Sequence, residues 1–467
     1  MRDWARELDT IAGGWRERVA SLAGPVASRL LWPSDDRARR WPSLHIDDLG
    51  AIPFLDNVVG VEAYQLRARV RARDGDVFVA TCPDMPGYEH YCREKLQLGR
   101  ARFVHAPPTG ATIKVAQAAR QGPVMDALTR IARTAGGMVV HPYMGNRDVW
   151  ELADDLAQNA RVPVHVLAPA PSVMWLANDK SLMTQLGDEL EPLLGRHPCV
   201  PTIVADNPAG LSDALRALSA VHPKVALKMT RCASAMGNRV FSARALAELD
   251  SEQLDGMVRR FLADKQWSPG APVLAVAWLG NDVSPSTQTW LTGVGPPRVD
   301  GVYEQLLEEE EKVFLGSIPA ELDKPVTDWM ERVSQLYGEI FQRLGYRGRC
   351  SFDFIVSDGT PYLVEVNGRW GGTSTPMHLV DRLFEGGRPC YLARDIVAPR
   401  IAGGWTFERL ARRLEPLLYD AGERQGRLIL YNVGPLEDYG KFDIVALGNN
   451  RHEARATVDE ALELVGQ

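Results

Sequence analysis

A predicted β-hairpin near residue 360 constrains the fold of this chain more than any other feature of its sequence. Two runs rich in β-branched and aromatic residues, 351–356 and 361–367, flank an Asp-Gly pair that favours a tight turn. Side chains alternate between the two faces of a strand, so Glu365 and Asn367 point the same way. The sequence therefore predicts two antiparallel strands with polar side chains on one face.

Asp353 on the first strand can join this polar face, but only for some turn geometries. A simple two-residue turn would direct the aspartate away from Glu365, whereas a three-residue loop or a bulge places the two acids opposite each other. We therefore predict a three-residue or bulged turn at residues 358–360, with Gly359 or Thr360 in the unusual backbone conformation. In that register two carboxylates and one amide oxygen share one face.

The residues after the second strand indicate that this face binds a metal and phosphate groups. Hard oxygen ligands that leave coordination positions open suit Mg²⁺ shared with the phosphates of a substrate. Arg369 and the glycines at 371 and 372 can hold further anionic oxygens. A single acid beside a strand is usually solvated, but the combined pattern Asp-x(11)-Glu-x-Asn-x-Arg-x-Gly-Gly rarely arises by chance. We predict Asp353, Glu365 and Asn367 as metal ligands.

Composition excludes several other classes of protein. The chain has 467 residues, 45% hydrophobic and 24% charged, as expected for a globular protein with several buried cores. Its net charge of −7 argues against a nucleic-acid binder, and no run reaches the roughly 18 apolar residues of a membrane helix. The six cysteines lack zinc-site and Cys-x-x-Cys spacing, which indicates free thiols in a reducing compartment. We therefore expect a cytoplasmic protein without nucleic-acid or membrane partners.

Strand and helix patterns alternate from residue 76 to residue 167 and predict a small parallel sheet flanked by helices. This region contains no G-x-G-x-x-G, which argues against a dinucleotide cofactor. Residues 1–50 are interpreted as a helical and looped lead-in. Changes in the pattern predict three domains, namely 1–175, 176–400 with a subdomain at about 200–275, and 401–467.

Two lysines of the central region are candidate phosphate ligands. Lys180 opens a predicted helix, for which Asn178 is a candidate cap. Lys228 ends the apolar run 225–228, where a buried cation is costly unless it meets an anion. Small residues follow at 233–238 and would let backbone N–H groups approach a phosphate, although such a run alone is more often a plain turn.

The order of these elements resembles the ATP-grasp superfamily. The hairpin is similar to its metal-binding signature, and both lysines precede it in the expected order between about residues 175 and 400. Residues 228–238 most resemble the peptide ligases of the pheganomycin type. The resemblance implies an α/β protein of the α+β ATP-grasp fold, with a βαβ pre-ATP-grasp domain, a central ATP-grasp domain with a lid subdomain, and a small C-terminal α/β cap.

The resemblance also implies ATP and Mg²⁺ as cofactors. By it, the run 233–238 forms a flexible lid over the β- and γ-phosphates, and Ser234, Met236 and Gly237 are its predicted contacts. Lys180 and Lys228 are then predicted ligands of the phosphates.

One part of the expected nucleotide site departs from the superfamily pattern. An acid usually stands at the interdomain hinge to receive ribose or adenine, but the matching run 273–278 has none before Asp282. We predict that backbone groups of Val276 and Trp278 contact adenine, and that Asp282 or Gln288 contacts the ribose.

The leading functional prediction is an ADP-forming carboxylate–amine ligase of specialised metabolism. A carboxylate of a small molecule or peptide would attack the γ-phosphorus, and an amine would then displace phosphate from the acyl phosphate. Arg369 and Lys228, with Lys180, would stabilise the transferred phosphoryl group. Transfer to a carrier-protein thiol and a non-catalytic nucleotide-binding protein are the alternatives. We also expect a homo-oligomer.

Overall fold

Three β-sheets and their covering helices make up the described part of the chain. The computed structural model describes residues 4–20, 30, 41–53, 55, 58–231, 237–280, 283–307 and 314–466. Within these ranges the sheets have five, eight and four strands. None of the helices in these ranges is both long enough and apolar enough to cross a membrane.

The N-terminal sheet is parallel throughout, which confirms the prediction from the alternating strands and helices. Its spatial order is β3-β2-β1-β4-β5, and all neighbouring strands run in the same direction. The strands are β1 (Ser43–Ile46), β2 (Val77–Ala80), β3 (Arg102–His105), β4 (Met138–Pro142) and β5 (Val164–Val166). The helices of this region are Trp4–Ala20, Val61–Val70 (3₁₀), Pro86–His90, Tyr91–Lys95 (π), Val115–Ala119, Gly122–Ala135 and Arg147–Ala160.

Strand β1 lies in the middle of this sheet, so the interpretation of residues 1–50 as helix and loop alone is wrong. The strand has only four residues, of which Leu44 and Ile46 are strongly apolar. Such a segment is too short to show the alternation of a strand. Both side chains are nevertheless fully buried, because they pack in one apolar cluster with residues of β2, β4 and the helices that cover this face of the sheet.

A four-stranded antiparallel sheet follows and carries Lys228 on one of its strands. Its order is β6-β9-β7-β8, and its strands are β6 (Thr202–Ala205), β7 (Lys224–Met229), β8 (Asn238–Ser242) and β9 (Val273–Ala277). Val225 and Leu227 pack with the helices on one face. Ala226 packs on the opposite face against residues of the hairpin. Lys228 therefore points to the hairpin side, because it shares a face with Ala226.

The covering helices of this sheet and the two helices before it have clear boundaries. They are Pro171–Asn178, Lys180–Leu194, Pro208–Ser219, Ala243–Ala247 and Ser251–Asp264.

The largest sheet is antiparallel, with the order β14-β13-β10-β11-β12-β15-β17-β16. Its strands are β10 (Pro285–Leu291), β11 (Arg298–Leu307), β12 (Phe314–Pro319), β13 (Gly348–Ser357), β14 (Thr360–Asn367), β15 (Cys390–Val397), β16 (Leu428–Tyr431) and β17 (Lys441–Gly448). Its helices are Lys324–Arg343, Ser374–Leu383, Pro399–Ile401 (3₁₀), Phe407–Leu414, Leu436–Tyr439 and Arg451–Val465. The last two strands of the chain thus extend the sheet that begins with the hairpin.

Candidate functional site

The predicted hairpin forms, but its turn is shorter than the predicted loop. Ser357 pairs with Thr360, so Asp358 and Gly359 alone make the turn. Both residues have positive φ, 48° and 70°, as the two central residues of a type I′ turn require. The prediction of a three-residue loop is therefore wrong.

The predicted pairing of Asp353 with Glu365 is nevertheless observed, because a bulge lies inside the strand. Asp353 pairs with Glu365, whereas the next residue, Phe354, pairs with Leu363. Val364 is therefore an additional residue on β14, and both Val364 and Glu365 line the same cavity. The bulge corrects the register that the two-residue turn would otherwise impose.

This cavity has a volume of about 820 Å³ and lies where the three sheets meet. The large sheet contributes residues from β10 to β17, the four-stranded sheet contributes Lys228, and the N-terminal region contributes Arg67 and Tyr143. A cavity of this size can enclose a nucleotide together with part of a second ligand.

Asp353, Glu365 and Asn367 all line the cavity, as predicted for side chains on one hairpin face. Asn367 donates from Nδ2 to Oδ2 of Asp353 at 2.8 Å. Burial, together with the charge of Glu365, raises the pKa of Asp353 to about 7. Burial alone would raise the pKa of Glu365 as well, but the charges of Lys180 and Arg369 lower it below the usual value.

The electrostatics of these acids fit a bound cation. Two carboxylates face each other in a buried place, and the raised pKa of Asp353 reflects first its burial and then their repulsion. A divalent cation would relieve it, and carboxylate and amide oxygens are its preferred ligands. Among the described residues, no three His, Cys, Asp or Glu side chains converge as a metal site. Further ligands would therefore have to come from a bound phosphate or from water.

Lys180 is anchored directly to the acidic face. Its Nζ donates to Oε1 of Glu365 at 2.9 Å, and only 5% of the residue is exposed. Asp179 caps the helix Lys180–Leu194, because its Oδ1 accepts from the backbone nitrogens of Ser181 and Leu182. The prediction of Asn178 as the cap is wrong, since Asn178 ends the preceding helix.

Asn178 instead orients Arg369 at the edge of the cavity. Its Oδ1 accepts from Nη1 of Arg369 at 2.6 Å and from the backbone nitrogen of Gly368 at 3.2 Å. Its Nδ2 donates to the carbonyl oxygen of Met174 at 2.7 Å, which fixes the amide. Sequence reasoning missed this role, because the position next to a helix start suggested a cap.

Lys228 reaches the cavity from the opposite side, on β7. Its Nζ lies 5.3 Å from the ring centroid of Trp278, which also lines the cavity. Its charge contributes to the lowered pKa of Glu365. The cavity thus holds three cationic side chains, Lys180, Lys228 and Arg369, near one ionised carboxylate.

Of the other predicted nucleotide contacts, some line the cavity and others do not. Val276 is buried in an apolar cluster and pairs with residues of β6 and β7 on both sides, so it does not line the cavity. Gly237 lies outside the cavity lining, and its carbonyl oxygen accepts from the backbone nitrogen of Met229. Gln288 lines the cavity and is buried. The predicted contacts Ser234, Met236 and Asp282 lie outside the described residues.

One group of cavity residues was not predicted at all. Charged and aromatic side chains line the end of the cavity formed by β15, β17 and the 3₁₀ helix Val61–Val70, namely Tyr64, Arg67, Asp395, Lys441 and Asp443. They come from three separate parts of the chain, and no motif or spacing connects them.

Comparison with known proteins supports the arrangement of the sheets. Residues 65–158 match the family described as the pre ATP-grasp domain. No curated protein sequence matches the chain. N5-carboxyaminoimidazole ribonucleotide synthetase from Thermus thermophilus is 13% identical, with 91% of this chain and 98% of that chain covered and a TM-score of 0.53.

Two carboxylase structures are similar over a comparable length. The biotin carboxylase domain of the 2-oxoglutarate carboxylase of Hydrogenobacter thermophilus is 12% identical, covers 90% of this chain and 89% of its own, and has a TM-score of 0.55. Biotin carboxylase from Campylobacter jejuni is 14% identical, with 90% of each chain covered and a TM-score of 0.53. At such low identity these similarities establish a common fold.

Proposed function

We propose that the protein, which has the ATP-grasp fold with an N-terminal pre-ATP-grasp domain, is an ADP-forming ligase. It would join a carboxylate to an amine. The observation that supports this most is the convergence of unlike charges in one cavity. Asp353 and Glu365 of the hairpin, with Arg369 just after it, meet Lys180 of a helix and Lys228 of the four-stranded sheet there.

The names of the similar structures support ATP and Mg²⁺ as ligands of this cavity. The Hydrogenobacter thermophilus structure is described as a complex with MgADP, ADP and bicarbonate. The Campylobacter jejuni structure is described as a β,γ-ATP complex. We infer that the end of the cavity with Lys180, Lys228 and Arg369 binds nucleotide phosphates here.

The cations of the cavity would hold the triphosphate and stabilise the phosphoryl group during transfer. A substrate carboxylate oxygen attacks the γ-phosphorus, the bond from this phosphorus to the bridging oxygen breaks, and ADP leaves. The amine then attacks the acyl carbon as the free base, phosphate leaves with its bonding electrons, and the nitrogen loses a proton to solvent. Arg369, oriented by Asn178, and Lys228 are the groups placed to bind the equatorial oxygens.

Asp353, Glu365 and Asn367 would hold Mg²⁺, which supplies charge neutralisation to the phosphates when bound. Lys228 is on a sheet separate from the acids, so closure of this sheet over the nucleotide would bring the lysine to the phosphates and exclude water. Exclusion of water protects an acyl phosphate from hydrolysis.

The proposal has three finer points. The likeness to pheganomycin-type ligases, and with it a place in specialised metabolism, rests on residues 228–238, of which 232–236 are outside the described residues. A homo-oligomer is supported by the description of one similar structure as a domain dimer. The small-molecule character of the substrates agrees with the cavity volume of about 820 Å³.

The test measures ADP and phosphate release with MgATP and a panel of carboxylates and amines, with mass spectrometry of the products. We expect stoichiometric ADP, phosphate and amide, formed only when both substrates are present. Formation of AMP and pyrophosphate, or ATP turnover that no carboxylate changes, would contradict the proposal. The Glu365→Gln variant serves as the inactive control.

A further inference from the structure

The end of the cavity at β15 and β17 has the features of a binding site for a cationic substrate group. Lys441 and Asp443 are two residues apart on β17, so both face the cavity. Asp395 pairs directly with Asp443 across the two strands and also lines the cavity. Two acids in this arrangement repel each other unless a cation compensates them.

The basic side chains at this end already have partners. Lys441 donates to Oδ2 of Asp395 at 3.1 Å, and its Nζ lies 5.0 Å from the ring centroid of Tyr64. Arg67 donates from Nε to Oδ2 of Asp47 at 2.8 Å. Among the described residues, neither Lys441 nor Arg67 forms an ion pair with Asp443.

Asp443 is left with an unused acceptor atom. Its Oδ2 accepts from Nδ2 of Asn432 at 2.6 Å, whereas its Oδ1 has no hydrogen-bond partner in the described structure. Only 5% of the residue is exposed, so bulk water does not readily satisfy this oxygen. Burial and the charge of Asp395 raise the pKa of Asp443 well above its usual value, although the charges of Lys441 and Arg67 oppose the rise. A further bound cation would relieve the repulsion that remains.

The wall beside these acids is apolar. The cavity is lined here by four apolar residues that precede Tyr64 in the chain, namely Leu49, Ile52, Val58 and Val61. An apolar body packed here would place a polar group toward β17.

We propose that this end of the cavity binds a protonated primary amine carried on an apolar body, with the ammonium group donating to Oδ1 of Asp443. An ammonium has three donors and a positive charge, which match one unused carboxylate oxygen and an opposed pair of acids. The proposal rests on the proposed ligase function, because it specifies the chemical class of one of the two substrates. The bound ammonium gives up a proton to solvent before its nitrogen attacks the acyl carbon.

The test compares two probes that differ only in their polar group, isoamylamine and isoamyl alcohol. Their dissociation constants for the full-length protein are measured by ligand-observed NMR, with and without MgADP. We expect the wild type to bind the amine about tenfold or more tightly than the alcohol, as for a charge-assisted hydrogen bond. Asp443→Asn should abolish this preference, whereas Asp438→Asn, which removes an exposed acid outside the cavity, should keep it.

Equal affinities for the two probes in the wild type, or an unchanged preference in folded Asp443→Asn, would overturn the proposal. If Asp443→Asn fails to fold by circular dichroism, Asp395→Asn takes its place, and an undiminished preference there would be equally decisive. Binding of MgADP and ADP release are measured separately. A wild type that lacks the amine preference but still releases ADP refutes this inference alone, whereas amine binding without any ATP turnover refutes only the ligase function.

Discussion

Replacement of Glu365 by glutamine tests the central assumption that one buried carboxylate organises the phosphate site. The change removes the ion pair in which Lys180 donates at 2.9 Å, but the amide oxygen can still accept a hydrogen bond. We expect the free energy of unfolding to fall by about 1–3 kcal/mol, the value of a hydrogen bond between charged groups. Part of this loss is offset, because Asp353 no longer faces a second negative charge.

The functional effect should be much larger than the effect on stability. Removal of one preorganised group that stabilises charge in a transition state costs about 10²–10³ in kcat. We expect loss of a cation-holding charge to cost at least as much, so Mg²⁺-dependent ADP release should fall by at least about 100-fold. Coupled measurement of ADP release checks this, with thermal unfolding to confirm the fold. Glu385→Gln, which changes an exposed glutamate outside the cavity, is the matched control. A Glu365→Gln variant that keeps more than about a tenth of the wild-type rate would refute the assignment.

Three further predictions concern the other side chains of the site. Lys228→Ala should weaken ATP binding by about tenfold or more, measured by calorimetry, while the exposed Lys224→Ala on the same strand should bind normally; equal affinities in both variants would remove Lys228 from the site. Arg369→Ala should lower kcat more than the apparent affinity for ATP, because its proposed role is in the transition state; losses confined to KM would make it a ground-state ligand instead. The pKa of Asp353, raised to about 7, means that a proton must leave before a cation binds, so Mg²⁺ affinity should rise as the pH increases toward 7 and level off above it; calorimetric titrations at several pH values check this, and the dependence should vanish in Asp353→Asn.

Short-range sequence patterns were sufficient for much of the architecture. The parallel N-terminal sheet, strand β7 with Lys228 at its end and the hairpin all follow from alternation, turn residues and apolar runs. Strand β1 did not follow, because four residues are too few to show a period and their burial depends on β2 and β4.

The hairpin shows where local and tertiary preferences differ. Asp358-Gly359 favours a two-residue turn, and this turn alone would pair Asp353 with Val364. Val364 instead packs in the apolar cluster that includes Ala226 and Val276 of the four-stranded sheet. Partial burial of its side chain accompanies the bulge that returns Glu365 to its place opposite Asp353.

The sequence by itself determined that Glu365 and Asn367 share one face of the hairpin, since spacing along one strand decides which side chains share a face. Only the tertiary structure decided that Asn178 holds Arg369 and that Asp395 faces Asp443. The first pair joins residues far apart in the chain. The second pair lies on two strands whose register is not determined by their own sequence. Their geometry depends on the packing of three sheets around one cavity, which no local pattern records.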